Sequence, residues 1–357
     1  MLRKLLLLLS LGLAILLLQK CKTAETTIKE VDFRPEKVPY KMLSEYGFFT
    51  DLKQQKSNQK VLAYEPITPL FTDYAHKARF IWMPDSVSAQ VDEKGDIQFP
   101  DNSVLIKTFF YPSDFEYRTQ NQDLIETRLL MKVKGEWIAY TYVWNEEQND
   151  AELNLVGDFK TVAWTDKMGS AHQIEYVIPN KNQCKSCHNQ NNILQPIGPK
   201  VRNLNKTITY QDGRKNQLAK WQEMGYLKAF EDTFTPIADW SNEGEALEDR
   251  ALAYLEVNCA HCHSRKGSAH TTGLYLNTDE KEHIRLGFCK TPVAAGKGSG
   301  GMKYAIVPGQ PDSSFLVYRI ESDDPGVMMP ELGRVVAHQE GIQLIRDWII
   351  SLEGNCD

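Results

Sequence analysis

Two short stretches of this 357-residue chain carry residue types that could do chemistry, at a spacing that narrows what it is. Cys184-Lys185-Ser186-Cys187-His188 and Cys259-Ala260-His261-Cys262-His263 both read Cys-x-x-Cys-His, and together they hold four of the seven cysteines. Two thiols with two residues between them reach one edge of a porphyrin and can add to its vinyl groups as thioethers. The adjacent imidazole then turns under the ring to ligate iron. A redox dithiol needs only Cys-x-x-Cys and gains nothing from the histidine. A structural zinc site would have to recruit both motifs across a domain boundary, a poor fit to zinc spacing. The pattern predicts two covalently bound haem c groups, one on Cys184, Cys187 and His188, the other on Cys259, Cys262 and His263.

Composition and the N-terminus say where such chemistry would operate. Charged residues make up 25% of the chain and apolar ones 42%, with a formal charge of −6. No basic tract or aromatic–basic interleaving is present, so nucleic acid is not an expected partner. Arg3 and Lys4 precede an apolar run, Leu5 to Leu18, which is short for a membrane span and right for a secretory signal. It closes on Leu18-Gln19-Lys20-Cys21, which resembles a bacterial lipoprotein signal (residues 1–20) whose cysteine becomes the lipidated first residue. Lys20 departs from the small residue usual there. The resemblance implies attachment to the membrane through Cys21 and, with Lys22 next, a periplasmic or outer-membrane location. Polar residues 21–39 read as a tether. Four haem thiols and one lipid anchor leave Cys289 and Cys356. Free thiols seldom persist in an oxidising compartment, so these two are expected to form a disulfide.

The elements that must position the motifs change character along the chain. "ARFIWMP", "SVLIKTFFYP", "IETRLLMKV" and "EWIAYTYVW" alternate apolar and polar residues and are rich in β-branched and aromatic ones, separated by turn material such as "DEKGD". They predict a mainly antiparallel sheet ahead of the first motif. Helical periods follow in "NQLAKWQEMGYL", in "EALEDRALAYLEVN" leading into the second motif, and in "HQEGIQLIRDWIISL" near the C-terminus. "AAGKGSGG" reads as a flexible loop. The expected fold class is α+β multidomain: a β-rich domain over 40–235 carrying the first haem, and an all-α domain over 236–357 carrying the second.

Several stretches resemble known cytochromes. A helix with Tyr254 leading into the second motif, a Met-Pro step in "VMMPELG", and a last helix with Trp348 resemble class I cytochrome c. That resemblance implies His263 as proximal and Met329 as distal iron ligand, with Met328 the neighbouring alternative. His261, between the haem cysteines, is expected to face solvent. The strand "FPDNSVLIKTF" ahead of a haem motif resembles cytochromes whose haem lies on a β-sheet domain, some with a lysine crosslink. Lys107 would be the matching lysine, as against a strand lysine facing water. Met131, Met168, His172 or a vacant position are equal alternatives for the first iron's sixth ligand. From about Pro66 onward, "PLFTDYAHKARFIW", "GEWIAYTYVWNEEQNDAEL" and "QPIGPKVRNLN" resemble a family of exported bacterial dihaem cytochromes, some encoded beside β-helix repeat proteins.

The leading expectation is an electron carrier working with a redox partner protein, since an iron with both axial positions filled suits transfer rather than substrate binding. The rival is a haem enzyme, a peroxidase or small-nitrogen oxidase, with the first haem open on one face. A haem-bearing subunit that chiefly docks a dehydrogenase is the third.

Overall fold

The computed structural model describes residues 30–294 and 296–356. The lipoprotein-type signal and Cys21 lie outside the described residues. The four alternating segments become neighbours in a six-stranded antiparallel meander: β1 (Leu62–Ala63), β2 (His76–Trp82), β3 (Val104–Pro112), β4 (Gln122–Val133), β5 (Glu136–Trp144) and β6 (Ala151–Asn154). Each strand pairs with the next along the chain. A hairpin, β7 (Asp158–Thr165) with β8 (Ala171–Ile178), follows.

Side-chain alternation gives this sheet two different faces. Phe80, Trp82, Ile106, Leu129 and Met131 point into one core, which Leu43, Tyr46 and Phe48 close from outside the sheet. On the other face Ile81, Leu105 and Trp137 pack under Trp221 and Leu218 at one end. Phe109, Tyr111 and Ile125 pack against Trp164 and Tyr176 of the β7–β8 hairpin at the other. Between those two apolar ends the same face carries Arg79, Lys107 and Arg128, paired across β2, β3 and β4.

Past β8 the chain forms α1 (Lys181–Cys187), α2 (Val201–Leu204), α3 (Gln217–Glu223), α4 (Leu247–Asn258), α5 (Phe315–Glu321) and α6 (Gln339–Ser351). The stripe expected on the last helix is buried at Ile342, Ile345, Trp348 and Ile349. It packs on Ala251, Tyr254 and Leu255 of α4. Gly341 lets the helices meet: a Cβ there would run into the Tyr254 ring and hydroxyl.

Three expectations are corrected. The C-terminal part is not all-helical: among its described residues only α4, α5, α6 and short 3₁₀ turns are regular. Pro292, Pro308, Pro311, Pro325 and Pro330 punctuate the rest, and proline ends helices by removing a donor and clashing with the preceding turn. The tether ends before Pro39, because Val31, Phe33 and Val38 pack against the first core. The division near Thr235-Pro236 does fall between two apolar clusters, one reaching Phe234 and the other starting at Trp240. Yet from Val31 on the chain is one compact unit. A clasp between Thr68 and Tyr74 joins the parts. Asp73, 2% exposed, accepts from the backbone N–H groups of Val335 (2.7 Å) and Val336 (3.0 Å). The Phe71 N–H donates to Asn258 Oδ1 at 2.8 Å, and the Phe71 ring stacks on His338 with centroids 4.1 Å apart.

Candidate functional site

The first motif sits on α1, whose N-terminus is fixed reciprocally. The Gln183 N–H donates to Asn180 Oδ1 (3.0 Å), and the Asn180 N–H donates to Gln183 Oε1 (2.9 Å), a capping box. Cys184 and Cys187, three residues apart on this helix, share a face, and both line one cavity. His188 caps the helix, and its Nδ1 lies 2.8 Å from the Gln195 carbonyl oxygen. A carbonyl only accepts, so Nδ1 carries the proton and Nε2 keeps its lone pair for a metal. Burial pushes His188 down to about 4, which keeps the ring neutral and able to ligate at neutral pH.

The sheet supplies the opposite wall. Lys107 and Arg128 lie over the Phe109 ring, 4.7 and 4.3 Å from its centroid. Glu126, fully buried, accepts from Arg128 Nε at 2.8 Å and from the Tyr176 hydroxyl at 2.7 Å. Burial, reinforced by the charges of Arg79 and Lys77, holds Lys107 well below the usual lysine range. Of the sixth-ligand alternatives, Lys107 lines this cavity. Met131 is buried in the core on the far face of the sheet. Met168 is 89% exposed, and exposed His172 pairs with Asp166 at 2.8 Å.

The second motif leaves α4 in a tight turn, with the His263 N–H donating to the Cys259 carbonyl at 2.8 Å. Gly267 lies so close over this turn that a Cβ would strike the Cys262 carbonyl. Cys259, Cys262 and His263 line a second cavity of about 560 Å³, together with Leu255, Leu274, Phe315 and Leu316. His263 Nδ1 faces the Thr272 hydroxyl at 3.5 Å. Burial lowers the pKa of His263 and pushes the Cys259 thiol up to about 12. Met329 lines this cavity and the first. Met328 is 7% exposed and lines neither of them. The "AAGKGSGG" segment packs on α5, with Gly298 against Arg319 and Gly300 against Tyr318. Cys289 and Cys356 form a disulfide, Cα atoms 5.3 Å apart, beside the last helix.

The two cavities adjoin, with Cys187, Cys259, His261, Met329 and Pro330 lining both. At the junction one ligand atom each from Cys187, His261 and Cys262 lies within 4.8 Å of the others. His261 therefore does not face solvent as expected; its Nδ1 is buried without a hydrogen-bond partner. Those three residues could hold a soft metal ion such as zinc, from both motifs at once. Sequence reasoning missed this meeting, and it missed Arg79 and Arg128 in the first cavity. The alternation of β2, β3 and β4 was the signal that could have found the two arginines, since both share a sheet face with Lys107.

Residues 290–332 match the family model described as Planctomycete cytochrome C. The C-terminal region is cytochrome c-like. The matched residues of this cytochrome c-like region include the glycine-rich loop, α5 and the Met329-Pro330 step; neither Cys-x-x-Cys-His lies within them. The likeness to cytochrome c over these residues points to haem binding and electron transfer, with covalently bound haem c and its iron. The second cavity fits that group: paired thiols, a neutral imidazole and a thioether converge on an apolar pocket. No curated protein and no solved structure matches the chain.

Proposed function

We propose that the chain is a dihaem c-type cytochrome of the bacterial envelope, exported and lipid-anchored at Cys21, that passes electrons to and from a redox partner protein. One haem would be held by Cys184, Cys187 and His188 in the first cavity. The other would be held by Cys259, Cys262 and His263 in the second, with Met329 as its distal ligand. The observation that carries this reading is that both Cys-x-x-Cys-His motifs line adjoining cavities with shared walls. Bound haem supplies a one-electron iron couple. The chain's own residues supply the covalent attachment and neutral imidazoles, with a mostly apolar surround in the second cavity and a cationic wall in the first, which together tune potential.

The test is a haem stain on denatured holoprotein. Colour should survive denaturation, and Cys→Ala at 184/187 or at 259/262 should each remove half of it. Complete loss of colour on acid–acetone extraction of the parent protein sinks the reading. Met329→Ala should keep haem content while abolishing the methionine–iron charge-transfer band. If Met328→Ala does so instead, the ligand is misassigned. Fatty-acid labelling that vanishes in Cys21→Ala supports the anchor; identical membrane partitioning of both forms contradicts it.

A second reading draws on the cationic wall of the first cavity, which a pure carrier does not require: a haem enzyme acting on a small substrate at an open first iron. A high-spin band in the optical or EPR spectrum favours it, and an all-low-spin spectrum favours the carrier.

A further inference from the structure

The sheet face that walls the first cavity carries a charge arrangement that electron transfer leaves unexplained. Arg79 stands directly opposite Lys107, and Lys107 directly opposite Arg128, on three neighbouring strands. Directly paired like charges destabilise a sheet, and the cost grows where the dielectric is low. All three side chains are half-buried and line the cavity. The nearby carboxylate, Glu126, is already engaged by Arg128 and Tyr176. Lys77, two residues before Arg79, gives its ammonium to the Leu70 carbonyl at 3.2 Å. Among the described residues neither Arg79 nor Lys107 has a side-chain hydrogen bond or a carboxylate within salt-bridge distance. Two basic side chains without a carboxylate in contact, held beside a third in the wall of a cavity, make a surface that negative charge would complete: an anion there would relieve the crowding and favour the charged form of Lys107.

We propose that Arg79, Lys107 and Arg128 form an anion site that takes a carboxylate or a small oxyanion inside the first cavity. The Arg79 guanidinium fork can grip two oxygens; Arg128, whose Nε and one Nη are already on Glu126, offers its remaining Nη edge, and the ammonium between them adds a point charge. Such an anion has two sources. One is a propionate of a haem on Cys184, Cys187 and His188, in which case the inference rests on the dihaem reading above. The other is a free oxyanion entering the cavity beside His188.

The experiment uses purified holoprotein, with haem counted first by stain. Sulfate, which neutralises cations without ligating haem iron strongly, is titrated by calorimetry into the parent protein and into Arg79→Gln/Lys107→Met. Saturable binding that weakens about tenfold or more in the double variant, the equivalent of one lost charge-assisted contact, and that Arg79→Gln/Lys107→Arg partly restores, establishes a free-oxyanion site. No sulfate binding, with an unchanged haem count and an upward shift of the propionate ionisation seen in the pH dependence of the first-haem potential of the double variant, establishes the propionate as occupant. Absence of both effects overturns the proposal. A haem count of one or none would break the dihaem reading, and the sulfate titration alone would then decide the anion site. Folding is not the obstacle, because the double variant relieves like-charge crowding and its melting temperature should not fall.

Discussion

The two motif sites are built from different materials. The first leans on a regular sheet whose strands pair in unbroken register from Arg79 through Lys107 to Arg128 and Thr141. Its wall is cationic, and rigid backbone pairing holds those charges together against their repulsion. The second is walled by the end of α4, by α5 and by the loops between α4 and α6, with a mostly apolar lining and a methionine. It has no sheet to hold it, and beside its short helices its constraints are special contacts: Gly267 over the motif turn, Gly341 under Tyr254, and the Cys289–Cys356 bridge. The lesson is that a sheet can hold unfavourable charges in place by register, whereas a loop-built pocket needs pins.

Removing the pin should have the largest effect. Cys289→Ala/Cys356→Ala opens a loop of 67 residues, for which chain entropy predicts a loss of about 4 kcal/mol, an upper figure since native strain subtracts. Denaturant melts should show the loss, and limited proteolysis should place the new cuts between 259 and 338. Cuts in β2–β5 instead would erase the contrast between the regions.

Glu126→Gln is the reciprocal experiment on the sheet side. It strips Arg128 of its buried partner and should cost about 3 kcal/mol, with the first site's spectrum disturbed and the second's unchanged. Equal disturbance of both would mean that the sheet also supports the second site.

His338 probes the seam. It stacks on Phe71, is hydrogen-bonded at Nδ1 to the Tyr254 hydroxyl and lies 3.6 Å from Glu340, with Lys77 also near. Burial pushes it down to about 4, below its unfolded value near 6.5. The unfolded chain therefore binds a proton that the folded one refuses. Stability is full above about 6.5 and falls as pH drops toward 4, by on the order of 2–3 kcal/mol. The slope of melting temperature against pH in that window should flatten in His338→Gln; an unchanged slope assigns it to other groups.

Tyr254→Phe should cost least, about 1 kcal/mol, by deleting the hydroxyl 3.0 Å from His338 Nδ1. A larger loss in a thermal melt would show that the seam and not the disulfide dominates the second region.

Much of the scaffold was legible because it follows from local pattern. Alternation placed β2, β3, β4 and β5, and the spacing of Ile342, Ile345, Trp348 and Ile349 placed α6 and its buried face. The proline-rich stretch between Cys262 and His338 defeated the expectation of an all-helical domain, since apolar residues there fill gaps between loops without any period. Lys107 was legible as a strand residue, yet alternation cannot say which face of a sheet another part of the chain will cover.

What the sequence determined by itself is the local chemistry: Cys-x-x-Cys-His keeps two thiols and an imidazole near one another wherever the chain goes, because five consecutive residues cannot separate far. Only the tertiary structure decided that Cys187, His261 and Cys262 meet, that Asp73 crosses to Val335 and Val336, and that Arg79, Lys107 and Arg128 look into a cavity beside His188. Those relations join residues far apart in the chain. No local preference encodes them; they exist because two apolar clusters and a clasp pack the sheet face against the haem-motif segments and exclude the alternatives.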